Sequence, residues 1–207
     1  MAVVGTRTPD AVGRDLARRV AAAVVARGYG VVSGLAAGID CAAHRSALEH
    51  GGRTWAVVGC GVDLAASAED PPVVEDLLSG GGGILAEVMP GTAASARALV
   101  ARDRIQSGLS RATVVVQTDT ASGTMHTARF TLEQGRLLAV LAPPPAPRGR
   151  ARQWSGNAAL GAPGGCGPEV LHARGATARL VAGRRPVADI VLPADGDLTA
   201  LWRALDG

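Results

Sequence analysis

Four short turns built from small residues carry most of the chemistry open to this sequence: Gly5-Thr6-Arg7, Ser33-Gly34 running on to Gly38-Ile39-Asp40, Gly59-Cys60-Gly61, and Ser122-Gly123-Thr124 running on to Thr127. Each stands between an apolar run and a segment of helical pattern. Such turns leave backbone N–H groups exposed beside the positive end of a helix dipole, which makes them anion sites. Arg7 adds a planar, bidentate donor suited to phosphate. In the last turn Ser122, Thr124 and Thr127 add hydroxyls to the N–H groups at Gly123, giving the best phosphate candidate of the four. Gly34 and Gly38 would let the backbone approach a ligand closely, and Ser33 belongs to the same tight turn.

Other polar residues extend this set. Arg102 and Arg104 are two apart on an expected helix and so do not share a face, which leaves one to bind and the other to face solvent. Asp40 and His44 are four apart on one helix face, where an acid–histidine pair can orient a ring, cap the turn or do acid/base work. No nucleophile accompanies them, so ligand positioning or structure is the expectation. Cys41 and His44 have the spacing of half a zinc site, but Cys60 and Cys166 do not form a second half, and no metal is expected. Gly59 and Gly61 begin a dinucleotide fingerprint whose third position is Leu64. No cofactor is expected.

Composition removes further classes. All 21 basic side chains are arginine; without lysine there is neither a Walker A phosphate loop nor a Schiff-base amine. A net charge of +3 permits a nucleic-acid or phosphate partner. With aromatics at 2% of the chain, stacking cannot supply the grip on nucleic acid, so phosphates would have to. The few, unpaired cysteines fit a reducing cytoplasm, and neither a signal peptide nor a membrane-spanning apolar run is visible.

The elements that would position these residues read as a doubly wound α/β sheet, mostly parallel, with helices on both faces. Strands are expected at residues 2–4, 30–32, 54–58, 83–86, 113–117 and 137–141, and helices at 10–27, 37–50, 72–79, 94–107 and 123–134. The first helix is the clearest, with Val12, Leu16, Val20 and Val24 recurring every four residues. Residues 143–167, rich in Pro, Gly, Ala and Arg, read as a mobile basic loop carrying Arg148, Arg150 and Arg152. Beyond it a helix is expected at 168–174, strands at 179–181 and 190–192, and a closing helix at 198–205. The 207 residues fit one domain.

Taken together, these residues resemble the Rossmann domain of the DNA processing protein A family, also called Smf. Val4-Gly5-Thr6-Arg7 is similar to its VGxR opening, residues 32–44 to its VSGLAxGIDxxAH signature, and 54–63 to its TxAVxGxGxD strand and turn. Residues 122–135 resemble SGSxxTAxxALEQG, and Arg102-Asp103-Arg104-Ile105 stands where the family has RNRI. The family's aromatic and proline before that motif are Leu99-Val100 here, and its asparagine is Asp103, an acid between two arginines that is expected to pair with one of them. The family's N-terminal helical extension and C-terminal winged helix are not expected in this chain.

The resemblance implies a Rossmann-like fold and non-catalytic binding of single-stranded DNA, with Gly5, Arg7, Ser33, Gly34, Gly38, Asp40, His44, Gly59, Gly61, Arg102, Arg104, Ser122, Gly123, Thr124 and Thr127 as the residues facing phosphate or ligand. It further implies a cytoplasmic homodimer and a recombinase as partner. The alternative is a sensor of a phosphorylated nucleotide, or an enzyme like the lonely-guy hydrolases, which cleave the N-glycosidic bond of nucleoside 5′-monophosphates. The glutamate of that family's PGGxGTxxE motif falls at Thr127, which cannot supply a carboxylate. Glu87, Asp40 or Glu133 would have to replace it.

Overall fold

Alternation along short apolar strands gives the sheet two buried faces. In β1 (Ala2–Val4), Val3 packs with helix residues Leu16, Val20, Ile39 and Ala43 on one side, while Ala2 and Val4 pack with Met125, Ala128 and Leu132 on the other. The same division holds in β5 (Ala112–Val115), where Ala112 and Val114 face the first layer and Val115 the second, and in β6 (Leu137–Leu141), where Ala139 and Leu141 oppose Leu138 and Val140. A third apolar cluster joins Leu35, Ala56, Val58 and Ala65 to Val73, Val74 and Leu77.

The computed structural model describes residues 1–67, 71–145, 151–163, 169–173, 178, 181–182 and 186–207. The strands β1, β2 (Val31–Ser33), β3 (Thr54–Val58), β4 (Gly83–Ala86), β5, β6 and β7 (Ile190–Leu192) form one parallel sheet in the order β4-β3-β2-β1-β5-β6-β7. The helices are α1 (Ala11–Ala26), α2 (Ile39–Glu49), α3 (Pro71–Ser79), α4 (Ala96–Gly108), α5 (Thr124–Glu133), α6 (Ser155–Gly161) and α7 (Thr199–Asp206). This is the expected doubly wound architecture. The chain winds outward from β1 to β4, then returns through α4 to place β5 on the other side of β1. That reversal makes the carboxyl ends of β1 and β5 the topological switch point, where such sheets hold ligands.

Local chemistry sets the helix starts. Asp10 caps α1 by accepting from Gly13 N at 2.8 Å, and Ser95 caps α4 by accepting from Ala98 N at 3.2 Å. The second helix starts at Ile39, two residues later than expected, because Gly38 adopts φ +89°. A Cβ there would lie 2.5 Å from the Thr6 carbonyl oxygen. Glycine is therefore required both for the dihedral and for the approach of the β1 turn.

Three expectations are corrected. Residues 151–161 are no loop: a 3-10 turn (Ala151–Trp154) and α6 pack onto the sheet. Trp154 Nε1–H donates to Asp10 Oδ2 at 3.0 Å, and Asn157 accepts from Thr118 N at 2.7 Å while donating to the Val116 and Leu141 carbonyls at 2.9 and 3.0 Å. These distant partners outweigh a composition that reads as loop. Residues 169–173 form turns, not a helix, with His172 at φ 51°. Val181 is helical, not part of a strand. Arg148, Arg150, Cys166, Arg179 and Leu180 lie outside the described residues.

Candidate functional site

At the switch point lies an open cleft of about 490 Å³. Its rim is made by Gly5, Thr6 and Arg7 after β1, and by Asp119 and the 121–124 segment after β5, with His126 and Thr127 beyond. Its floor comes from Asp40 of α2 and from Leu99, Arg102, Asp103 and Gln106 of α4. Arg7 is exposed at the mouth and makes no ion pair among the described residues. Opposite it, the Ser122 hydroxyl accepts from Thr124 N at 3.3 Å and bonds the Thr124 hydroxyl at 3.1 Å, holding the turn that opens α5. The rim thus offers a free guanidinium, hydroxyls and a helix N-terminus.

The floor is different in kind. Arg102 is buried; its Nε donates to Asp103 Oδ1 at 3.0 Å and its Nη1 donates to the Val57 carbonyl. With the Gln106 amide oxygen turned toward its donors, it accepts from Gly34 N at 2.9 Å and from Arg102 Nη1 at 3.1 Å. A Cβ at Gly34 would lie 2.5 Å from Asp40 Oδ2 and 2.6 Å from Arg102 Nη1, so the absence of a side chain is what lets α2 and α4 meet. Burial pushes Asp40 up to about 6, although Arg102, Ser33 and the Gly34 and Ala36 amides pull the other way. Burial also pushes Asp103 up to about 7, with Arg102 opposing and the like charge of Asp40 adding to the rise.

A second, mainly apolar pocket of about 340 Å³ shares Arg7, Ala36, Leu99 and Arg102 with the cleft and continues past Leu35, Val58 and Leu64. Gly59 lines it, and a Cβ there would come within 3.0 Å of the Leu99 backbone nitrogen.

The structure brings Gly5, Arg7, Asp40, Arg102, Ser122, Gly123, Thr124 and Thr127 to the cleft. It does not bring every expected residue there. His44 is fully buried, its Nε2–H donating to the Gly34 carbonyl at 2.6 Å. A carbonyl only accepts, so in the neutral ring Nδ1 takes the Thr54 hydroxyl proton at 2.6 Å. Burial pushes this histidine down to about 4. It braces the β2 turn and touches no ligand space. Ser33 is buried with its hydroxyl donating to the Val3 carbonyl at 2.7 Å, and Gly34, Gly38 and Gly61 serve close backbone approaches. Arg104 does not line the cleft and pairs with Glu87, both half exposed. Glu133 lies 3.6 Å from Arg129 on α5. Gln106 went unnoticed in the sequence, although its spacing of four from Arg102 and three from Asp103 puts it on their helix face.

The fold and the site together define a Rossmann-like α/β protein with an open cleft at its switch point. The family model for DNA recombination-mediator protein A matches residues 1–162, and the chain belongs to that family. Protein Smf of Synechocystis sp. is 40% identical over 134 residues, covering 65% of this chain and 33% of the relative. The chain spans about a third to under half the length of the curated relatives it matches. Among solved structures, DNA processing protein A from Helicobacter pylori, described for its single-stranded DNA binding mode, superposes with a TM-score of 0.63 at 27% identity over 70% of this chain and 65% of that one. Its counterpart from Streptococcus pneumoniae gives a TM-score of 0.65 at 26% identity over 96% of this chain and 60% of that one.

Proposed function

We propose that this chain binds the phosphate backbone of single-stranded DNA in the β1–β5 cleft, without catalysing a reaction on it. The observation that carries this reading is Arg7: an exposed guanidinium fixed at a strand end, facing the 122–127 turn across an open cleft. Phosphate contacts of this kind position a strand without reading its sequence. The apolar pocket past Arg7 and Arg102 gives the bases a surface without aromatic stacking. The single-stranded DNA binding of the Helicobacter relative supports the choice of ligand. By the same family relation, the protein acts in the cytoplasm as a homodimer and assists the loading of a recombinase onto single strands. No helix among the described residues is long and apolar enough to cross a membrane.

A heat-shift series tests the ligand, since whatever binds the native state raises its melting temperature. An oligothymidylate should raise it and thymidine 5′-monophosphate should not at the same nucleotide concentration. An equal shift from the mononucleotide would point to a small-nucleotide site instead.

A further inference from the structure

Arg102 stands between two buried carboxylates at the bottom of a cleft whose mouth is suited to anions. Among the described residues, the charged groups around that floor come from three helices and two strand-end turns. From α2 comes Asp40, with His44 behind it turned toward Thr54 and Gly34. From α4 come Arg102 and Asp103, while Arg104 turns outward to Glu87. From α5 come His126, its pKa lowered by burial, His172 and Arg129, and Arg129 itself, which is shared with Glu133. The β1 turn adds Arg7 and the β5 turn adds Asp119.

Among the residues lining the cleft, Arg7 and Arg102 stand against Asp40, Asp103 and Asp119, so with all carboxylates ionised these groups leave no excess positive charge to offer a phosphate. Arg102 is also anchored in place, because Asp103 accepts from its Nε and Val57 and Gln106 accept from its Nη1. Moving it would leave two buried carboxylates facing each other without a cation. The remaining way to make the floor attractive to an anion is to neutralise a carboxylate in place.

We propose that phosphate binding in this cleft takes up a proton onto the Asp40–Asp103 pair, and that Asp103 is the residue setting the affinity. The inference rests on the phosphate-binding reading above. The two carboxylates share one cation in a buried site, so they titrate as a pair, and an arriving phosphate adds a further negative charge that favours their protonated forms. Burial already holds both well above the usual carboxylate range, within reach of neutral pH, and the like charge of Asp40 adds to the rise at Asp103. Binding then follows proton linkage, strengthening as pH falls by up to about tenfold per pH unit for each proton taken up.

The test is the affinity of the intact chain for a labelled oligothymidylate by fluorescence anisotropy at constant ionic strength, from pH 8 down to pH 6, for wild type and Asp103→Asn. The asparagine oxygen can still accept from Arg102 Nε. Wild type should bind about tenfold or more tightly at pH 6 than at pH 8, while Asp103→Asn should bind tightly at pH 8 with little change on acidification. An equal pH slope in the two proteins would overturn the proposal. Calorimetry of wild type in buffers of different ionisation enthalpy gives a readout needing no variant: net proton uptake on binding supports the coupling, and none refutes it even if Asp103→Asn fails to fold. Absence of oligonucleotide binding by folded wild-type protein throughout this pH range would instead defeat the phosphate-binding reading.

Discussion

The rim and the floor of the cleft both carry arginine, yet they use it in opposite ways. Arg7 on the rim is exposed and unpaired among the described residues, whereas Arg102 on the floor is buried with Asp103, Val57 and Gln106 on its nitrogens. A guanidinium that lines a cleft is not thereby a ligand donor. What separates the two is that Arg102 already donates from Nε and Nη1, whereas Arg7 makes no ion pair among the described residues. The rim arginine is left open to solvent, and the floor arginine ties α4 to the end of β3.

Substituting each arginine should separate these roles. Arg102→Leu removes the cation between Asp40 and Asp103 and should cost about 3–5 kcal/mol of stability, measured by urea denaturation. Arg7→Ala should leave stability within about 0.5 kcal/mol of wild type and weaken oligonucleotide binding by about 1.5–3 kcal/mol, the worth of a hydrogen bond to a charged group. Equal effects of the two changes on folding would erase the distinction between rim and floor.

Acidity probes the buried titratable groups. A carboxylate whose pKa is raised on folding stabilises the protein most below its unfolded value, and that contribution is lost as pH rises through the folded value. For Asp40, raised to about 6, and Asp103, raised to about 7, the loss runs from about pH 4 to pH 7. His44 has the opposite sign: held down at about 4, it adds stability above its unfolded value of 6.5 that is lost as pH falls toward 4. Between pH 6 and pH 8 the buried Met1 amino group, held down at about 6, adds a rising trend of its own. Asp103→Asn therefore isolates the acid: between pH 4 and pH 7 its melting temperature should climb relative to that of wild type as pH increases. A difference between the two proteins that stays constant over this interval would show that Asp103 is held as a stable anion.

The smallest effect is expected outside both regions. Arg104→Ala breaks a half-exposed pair with Glu87, and such pairs are worth about 0–1 kcal/mol. Its folding and its oligonucleotide affinity should both stay close to wild type. A large loss of binding would extend the rim to the outer face of α4.

The rim was legible in the sequence because its signals are local. Small residues after an apolar run fix a strand-to-helix turn whatever surrounds it, and the 122–127 segment and Gly5-Thr6-Arg7 lie where that rule puts them. The floor was half legible: the pairing of Asp103 with an arginine follows from adjacency, but the burial of Arg102 depends on Gly34 and Val57, which approach it from β2 and β3. His44 shows the same limit. Its spacing from Asp40 suggested a pair, and the fold spends both ring nitrogens on Gly34 and Thr54. Residues 151–161 were misread because what orders them, Asp10 against Trp154 and Thr118 against Asn157, is distant in sequence.

Whether Arg7 meets a phosphate of a single strand is decided by the salt dependence of binding. For wild type, log affinity for an oligothymidylate should fall linearly with log salt, with a slope of about 0.7 for each phosphate neutralised. Arg7→Ala should weaken binding and make that slope shallower by about the same 0.7. A folded Arg7→Ala protein with the wild-type affinity and slope would show that no phosphate sits at Arg7 and that the strand binds elsewhere.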